Sequence, residues 1–218
     1  MIELKYKSWK EITIKVFDKI KEIKIENDYS QEKMLDKNVE LLSVLCDCTE
    51  EDIINLPLTQ FNELLKQTEF LKELPKVNMN DAYTINGTVY EVHRNLRDMK
   101  TSQYIDFQSL SKEKEKNFAN ILACFLIPKG KSYGEGYDVI NVAEDIYNYF
   151  NIVDARSIMF FFTLQFHTLT RVMLTYSIKK MKRATKKSKS KEMEAKIKEL
   201  ETNLTQVKDL LKNGIGFF

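Results

Sequence analysis

The sequence predicts a mainly α fold: a multi-helix globular domain around a buried helix at about 157–178, one inserted β-hairpin at about 82–92, and a C-terminal extended amphipathic, coiled-coil helix. Three observations predict it. The run SIMFFFTLQFHTLTRVMLTYSI, Ser157 to Ile178, is the most apolar in the chain. Most other apolar residues recur at steps of three and four, the helical period. Only six Gly and three Pro punctuate 218 residues, too few for a loop-rich chain. Around Ile158, Met159, Phe160, Phe161, Phe162, Leu164 and Phe166 apolar side chains point in every direction, as in a helix with no solvent face. A membrane span needs roughly 20 residues without charge. Gln165, His167 and Arg171 interrupt this run and Thr163, Thr168, Thr170 and Thr175 thin it, so the buried soluble helix is preferred.

Composition bounds the function classes. Hydrophobic residues make up 43% of the chain and charged residues 30%, with a net charge of +2. The whole molecule therefore has no polyelectrolyte signature for nucleic acid or anionic membrane, and any such signal must be local. The start, MIELKYKSWKEI, lacks the apolar stretch of a secretory signal, which predicts synthesis and retention in the cytoplasm. Cys46, Cys48 and Cys124 are odd in number and without a framework of spacings, which predicts reduced thiols. Cys46-Asp47-Cys48 invites a metal, but a closed zinc site needs four ligands. The remaining candidates, Cys124, His93 and His167, lie in unrelated segments, so no metal and no cofactor is expected.

In chain order, Lys10 to Ile25 places Ile12, Val16, Ile20 and Ile23 on one helical face. Ser30 is a helix cap, followed by an apolar stripe of Met34, Leu35, Val39, Leu42 and Leu45. Thr49 with Glu50, Glu51 and Asp52 reads as an N-cap with an acidic first turn, continuing into Ile53 and Ile54. From Leu58, the pattern Phe61, Leu64, Leu65, Phe70, Leu71 gives another helix that Pro75 ends. In AYTINGTVYEV, Ala82 to Val92, Asn86-Gly87 supplies the two positive-φ residues of a type I′ hairpin turn. That register sets Ile85 opposite Thr88 and Tyr83 opposite Tyr90, with Tyr83, Ile85, Tyr90 and Val92 inward. A short helix carries Tyr104, Ile105, Phe107 and Leu110. The next, from Ser111, has its stripe at Phe118, Ile121, Leu122, Phe125 and Leu126 and stops at Pro128, with Cys124 as small filler beside it. The loop PKGKSYGEGY, Pro128 to Tyr137, lacks the earlier glycine of a phosphate-binding loop, because that place is Phe125; it reads as a connector. Val139 to Phe150 is helical with Val142, Ala143, Ile146, Tyr147 and Phe150 inward, and Asp154 caps the buried helix.

Beyond Ile178 the composition changes. The domains expected are a core at 1–178, a basic linker or helix extension at 179–191, and an amphipathic helix with an apolar terminus at 192–218. Lys179, Lys180, Lys182, Arg183, Lys186, Lys187, Lys189 and Lys191 form a cationic run able to neutralise phosphates without reading sequence; the alternative is a solvated helix extension. Met193, Ile197, Leu200, Leu204, Val207 and Leu211 recur at steps of four and three, an a/d seam. A seam this short is marginal alone, so it packs on a second copy, on another protein, or back on its own domain. Gly214 reads as a helix stop, and Ile215, Phe217 and Phe218 as an apolar docking terminus.

No enzyme emerges, since no nucleophile with a base and no carboxylate pair is identifiable by spacing. The segments EITIKVFDKIKEI, NLPLTQFNELL, EFLKELPK, YTINGTVYEV, SQYIDFQSL, ILACFLIPKGKSYGEGYDV and VDARSIMFFF, between Glu11 and Phe162, resemble a family of proteins of tailed bacteriophages of Bacteroidetes, including the crAss-like phages. The most distinctive are Tyr104-Ile105-Asp106-Phe107 and Ile127-Pro128-Lys129-Gly130-Lys131. The resemblance implies a virion protein of the tail or portal region, packaged cargo or structural, or a transient tail assembly chaperone. It implies other tail or portal proteins as partners, several copies in a ring, and a location in the tail or capsid interior after synthesis in the host cytoplasm. It assigns no functional residue.

Overall fold

The computed structural model describes residues 2–24, 31–73, 75, 78–113, 116–188 and 191–213. They form a mainly α structure with one small antiparallel sheet, in the order α1 Ile14–Lys24, α2 Gln31–Cys46, α3 Glu50–Ile54, α4 Leu58–Gln67, β1 Ala82–Ile85, β2 Thr88–Val92, α5 Thr101–Leu110, α6 Phe118–Ala123, β3 Leu126–Pro128, α7 Val139–Tyr149, α8 Ile152–Ser188 and α9 Lys191–Asn213. The chain divides into two compact units, residues 1–157 and residues 158–218.

In the first unit the apolar faces of α1 (Val16, Phe17, Ile20, Ile23), α2 (Val39, Leu42, Leu45) and α7 (Val142, Ala143, Ile146) are buried. The stretch before α1 is held at both ends. Lys5 and Tyr6 donate backbone N–H groups to the Leu45 carbonyl, and Ile152 N–H donates to Ile12 O at 2.8 Å. Between them Trp9 donates its indole N–H to Phe70 O at 2.7 Å and to Glu73 O at 2.8 Å, with its ring against Phe17 and Phe70. Helix ends follow local chemistry. Thr49 and Asp52 cap α3 reciprocally, each backbone N–H bonded to the other side chain at 3.0 and 3.2 Å. α2 ends where Asp47 takes φ 56°, with Cys48 N–H returning to Ser43 O, a left-handed C-terminal cap.

The hairpin has the predicted register, Tyr83 opposite Tyr90 and Ile85 opposite Thr88. Asn86 and Gly87 have φ of 46° and 77°, and Tyr83, Ile85, Tyr90 and Val92 are buried. Its second strand is covered by β3, antiparallel, with Tyr90 opposite Pro128 and Val92 opposite Leu126. This corrects the expectation of a helix running to Pro128. α6 stops at Ala123; Pro128 disfavours helix in Ile127, and an unpaired strand edge on β2 is relieved by pairing. Ile121 to Ile127 is apolar and buried throughout, so no periodicity in it separates strand from helix.

Other expectations are corrected locally. Met34, Leu35 and Tyr147 are exposed although read as inward, because their helices are covered on a narrower arc than their apolar residues occupy; Ile54, Tyr104 and Ile105 are exposed as well. α6 begins at Phe118, not Ser111. The residue capping α8 is Asn151, whose Oδ1 accepts Asp154 N–H at 2.9 Å; Asp154 sits three residues on and accepts from Asn151 Nδ2. Ser30, read as the cap of α2, lies outside the described residues. The stretch 157–178 is not buried along its length: Ile158, Met159 and Phe162 are, while Phe160, Leu164, Leu169, Val172, Met173 and Tyr176 are exposed. Its helix is 37 residues long, about 55 Å at 1.5 Å per residue, against about 30 Å for a small domain.

Gly87 isolates the turn's requirement, because a Cβ there would meet nothing within 4 Å and only the backbone conformation opposes it. Gly87→Ala is expected to cost about 1 kcal/mol in urea unfolding, the strain of an L-residue at positive φ; an unchanged midpoint would show the hairpin turn differs from type I′.

Candidate interaction surface

The second unit is built by a chain reversal. If α8 and α9 formed one straight helix, Lys182 and Glu201 would lie about 28 Å apart. Instead Lys182 Nζ is 2.7 Å from Glu201 Oε1, so α9 runs back beside α8. Leu174, Ile178 and Met181 on α8 are buried or half-buried at steps of four and three. So are Ile197, Leu200, Leu204 and Val207 on α9. Rows at this spacing suit a narrow helix–helix seam. The ion pair between exposed side chains adds little energy but fixes the pairing of the helices.

The opposite side of α8 is open. Leu169, Val172, Met173 and Tyr176, related as i, i+3, i+4 and i+7, share one face, and the last three are 58%, 63% and 67% exposed. The same steps lead on to Lys179, Lys180 and Arg183, all exposed. No acidic residue occurs between Ser157 and Ser188, so this face is apolar and then cationic. The hydroxyls of Thr168 and Thr175 bond back to Leu164 O and Arg171 O, which keeps them from needing other partners.

Of the seam residues predicted to bind a partner, Ile197 is buried and Leu200, Leu204 and Val207 are half-buried in the chain's own second unit. Met193 and Leu211 lie in α9 with side chains outside the description; Ile215, Phe217 and Phe218 lie outside the described residues. Of the cationic run, Lys179, Lys180, Lys182 and Arg183 are exposed on α8, with Lys182 paired to Glu201. Lys186 and Lys187 continue the helix backbone, Lys191 opens α9, and Lys189 lies outside the described residues. The open face of α8 was missed by treating every apolar residue of the run as buried. A signal existed in the run itself, where Gln165, His167, Arg171 and four threonines interrupt the apolar residues.

In the first unit a polar clasp joins α5 to the segment from Cys124 to Glu135. Gln103, fully buried, donates Nε2–H to Cys124 O at 2.6 Å and accepts Lys100 N–H at 3.2 Å. Tyr133 O–H donates to Asp106 Oδ2 at 2.9 Å, its oxygen lies 3.8 Å from Cys124 Sγ, and Phe107 stacks edge-on against Phe125. Lys100 pairs with Glu135 and holds that carboxyl below its usual range. Burial pushes the Tyr133 hydroxyl upward and the Cys124 thiol up to about 11. Cys46 is likewise pushed up to about 11, by burial first and then by Cys48 beside it. Protonated thiols are weak nucleophiles at neutral pH. An open groove of about 430 Å³ is lined by Tyr6, Lys15, Lys19, Asp47, Cys48 and Asn148 among others.

Among the described residues no three His, Cys, Asp or Glu side chains gather as a metal site would require, and no helix is long and apolar enough to cross a membrane. No protein-family model matches the chain, and neither does any curated protein or solved structure.

Two measurements test the clasp. Gln103→Leu leaves the Cys124 carbonyl and Lys100 N–H without their partner and is expected to cost about 1–3 kcal/mol in chemical denaturation. The thiols of Cys46 and Cys124 ionise at 9.0 ordinarily and at about 11 here, so the folded chain holds those protons longer than the unfolded one. Stability is therefore full below pH 9 and falls as pH rises towards 11; a urea midpoint that rises over that window would contradict the burial of these groups.

Proposed function

We propose that this chain is a non-enzymatic virion protein of a tailed bacteriophage. It acts in the tail or portal region in several copies, as packaged cargo or a structural component. The observation that carries the manner of action is the open face of α8, where Leu169, Val172, Met173 and Tyr176 stand exposed in a row. Apolar surface of this kind, a few side chains wide on a helix, is the usual mark of a protein contact. The viral setting rests on the resemblance of the segments between Glu11 and Phe162, and multiple copies accord with the ring symmetry of portals and tails. A transient tail assembly chaperone would use the same face on an incoming subunit.

A second reading has its own observation. The exposed Lys179, Lys180 and Arg183, with Lys186 and Lys187 further along α8, give a local cationic stretch suited to phosphates. In that reading the chain is an accessory that holds nucleic acid without sequence preference.

Quantitative mass spectrometry of purified virions distinguishes these roles. The chain is expected in mature particles at a fixed ratio to the portal protein. Abundance in infected-cell lysate with absence from particles would assign the chaperone role instead. For the second reading, Lys179→Gln, Lys180→Gln and Arg183→Gln together should weaken duplex binding and lower its salt slope by about 3, one for each lost phosphate contact. Binding that ignores salt would exclude it.

A further inference from the structure

We propose that the open face of α8 is a self-association surface. Two copies of the chain pack antiparallel through Leu169, Val172, Met173 and Tyr176, so that two chains join along their α8 helices. The proposal rests on the multi-copy part of the function above and not on its viral setting.

Three features of this face select a second copy as the occupant. The first is its self-complementary order. A two-fold axis between Val172 and Met173 sets Leu169 against Tyr176 of the second copy and Val172 against Met173, so all four apolar side chains are covered at once. A C2 contact needs this property, because one patch must serve both sides.

The second is charge. In a parallel pairing Lys179, Lys180 and Arg183 would stand against their own counterparts, with no acidic side chain between Ser157 and Ser188 to offset them. The antiparallel pairing carries Lys179 and Arg183 about 20 and 30 Å from their counterparts along the axis. That is beyond the roughly 8–10 Å over which exposed charges interact in salt. Lys179 and Lys180 then come level with Phe166 and Gln165, which carry no charge, and Lys182 points elsewhere, to Glu201 of its own chain.

The third is area. Four large side chains, three of them more than half exposed, make a patch of roughly a few hundred Å². Doubled by symmetry and widened by the flanking turns, it approaches the roughly 1,000 Å² at which specific association begins. The partner required is a straight apolar helix of matching length, and α8 is one.

Sedimentation velocity and light scattering on the full chain over a micromolar concentration series provide the test. A species of about twice 25.7 kDa is expected to grow with concentration. Val172→Glu with Met173→Glu should weaken it by about 100-fold or more while leaving the circular dichroism unchanged, since both positions are exposed in the single chain. Orientation is read by disulfide trapping in a Cys46→Ser, Cys48→Ser background. Met173→Cys lies at the axis and should link two copies, whereas Arg183→Cys should not. A monomer at every concentration would overturn the proposal, as would a dimer indifferent to the double substitution. Equal trapping at both cysteines would overturn the antiparallel arrangement. Capture of a different protein by a monomeric chain through this face would assign it another occupant.

Discussion

The first unit depends on the run from Ile121 to Ile127, in which seven consecutive residues are almost or fully out of contact with solvent. A buried backbone must have its N–H and C=O groups bonded, and the run obtains its partners from three directions. Phe125 N–H closes the last turn on Leu122 O, the Phe125 carbonyl accepts from His93 N–H, and the Cys124 carbonyl accepts from the Gln103 side chain. Leu126 to Pro128 then completes the ladder with β2. The hairpin, α5 and α6 are thus fixed against one another through one strand-like segment. Leaving any one of these groups unpaired would cost about as much as a typical single substitution costs a whole domain.

The second unit answers a different constraint, the length of α8. A helix of 37 residues without Gly or Pro has no internal reason to stop, and its apolar residues are too many for one neighbour to cover. α9 turns back, Lys182 pairing with Glu201, and the row of Leu174, Ile178 and Met181 is buried or half-buried. What remains, from Leu169 to Tyr176, is apolar and open, and it passes without a break into cationic residues. Each unit therefore carries its own hydrophobic solution. In the first it is closed within the unit; in the second it is half closed.

The proposed phage setting is drawn from the stretch between Glu11 and Phe162, most of it in the first unit. Its two most distinctive segments, Tyr104 to Phe107 and Ile127 to Lys131, are engaged in packing: Asp106 with Tyr133, Phe107 with Phe125, Ile127 in the sheet. They explain how the first unit holds together and assign no chemistry. The features that suit contact with another molecule lie beyond Phe162, in the part of the chain the resemblance does not reach. The proposed function accordingly draws its setting from one region and its means from another.

Local chemistry alone determined several elements. Asn86-Gly87 has few alternatives to a type I′ turn, and once it forms, the alternation of Tyr83, Ile85, Tyr90 and Val92 decides the inward face. Thr49 and Asp52 cap a helix with groups three residues apart, and the amphipathic stripes of α1 and α7 follow from period. Of the candidate surface, the seam Ile197 to Val207 and the cations Lys179 to Arg183 were legible as stripes. What covers them was not. Only the tertiary structure decided that Leu126 to Ile127 is a strand, that Asn151 rather than Asp154 caps α8, and that Met34, Leu35, Tyr104 and Ile105 face outward. It also decided that α8 is covered along one row, Leu174 to Met181, and open along another, Leu169 to Tyr176. Periodicity records that an apolar face exists, because it is a property of one segment. Whether that face is buried depends on a second segment brought against it by packing and by paired backbone groups distant in the chain.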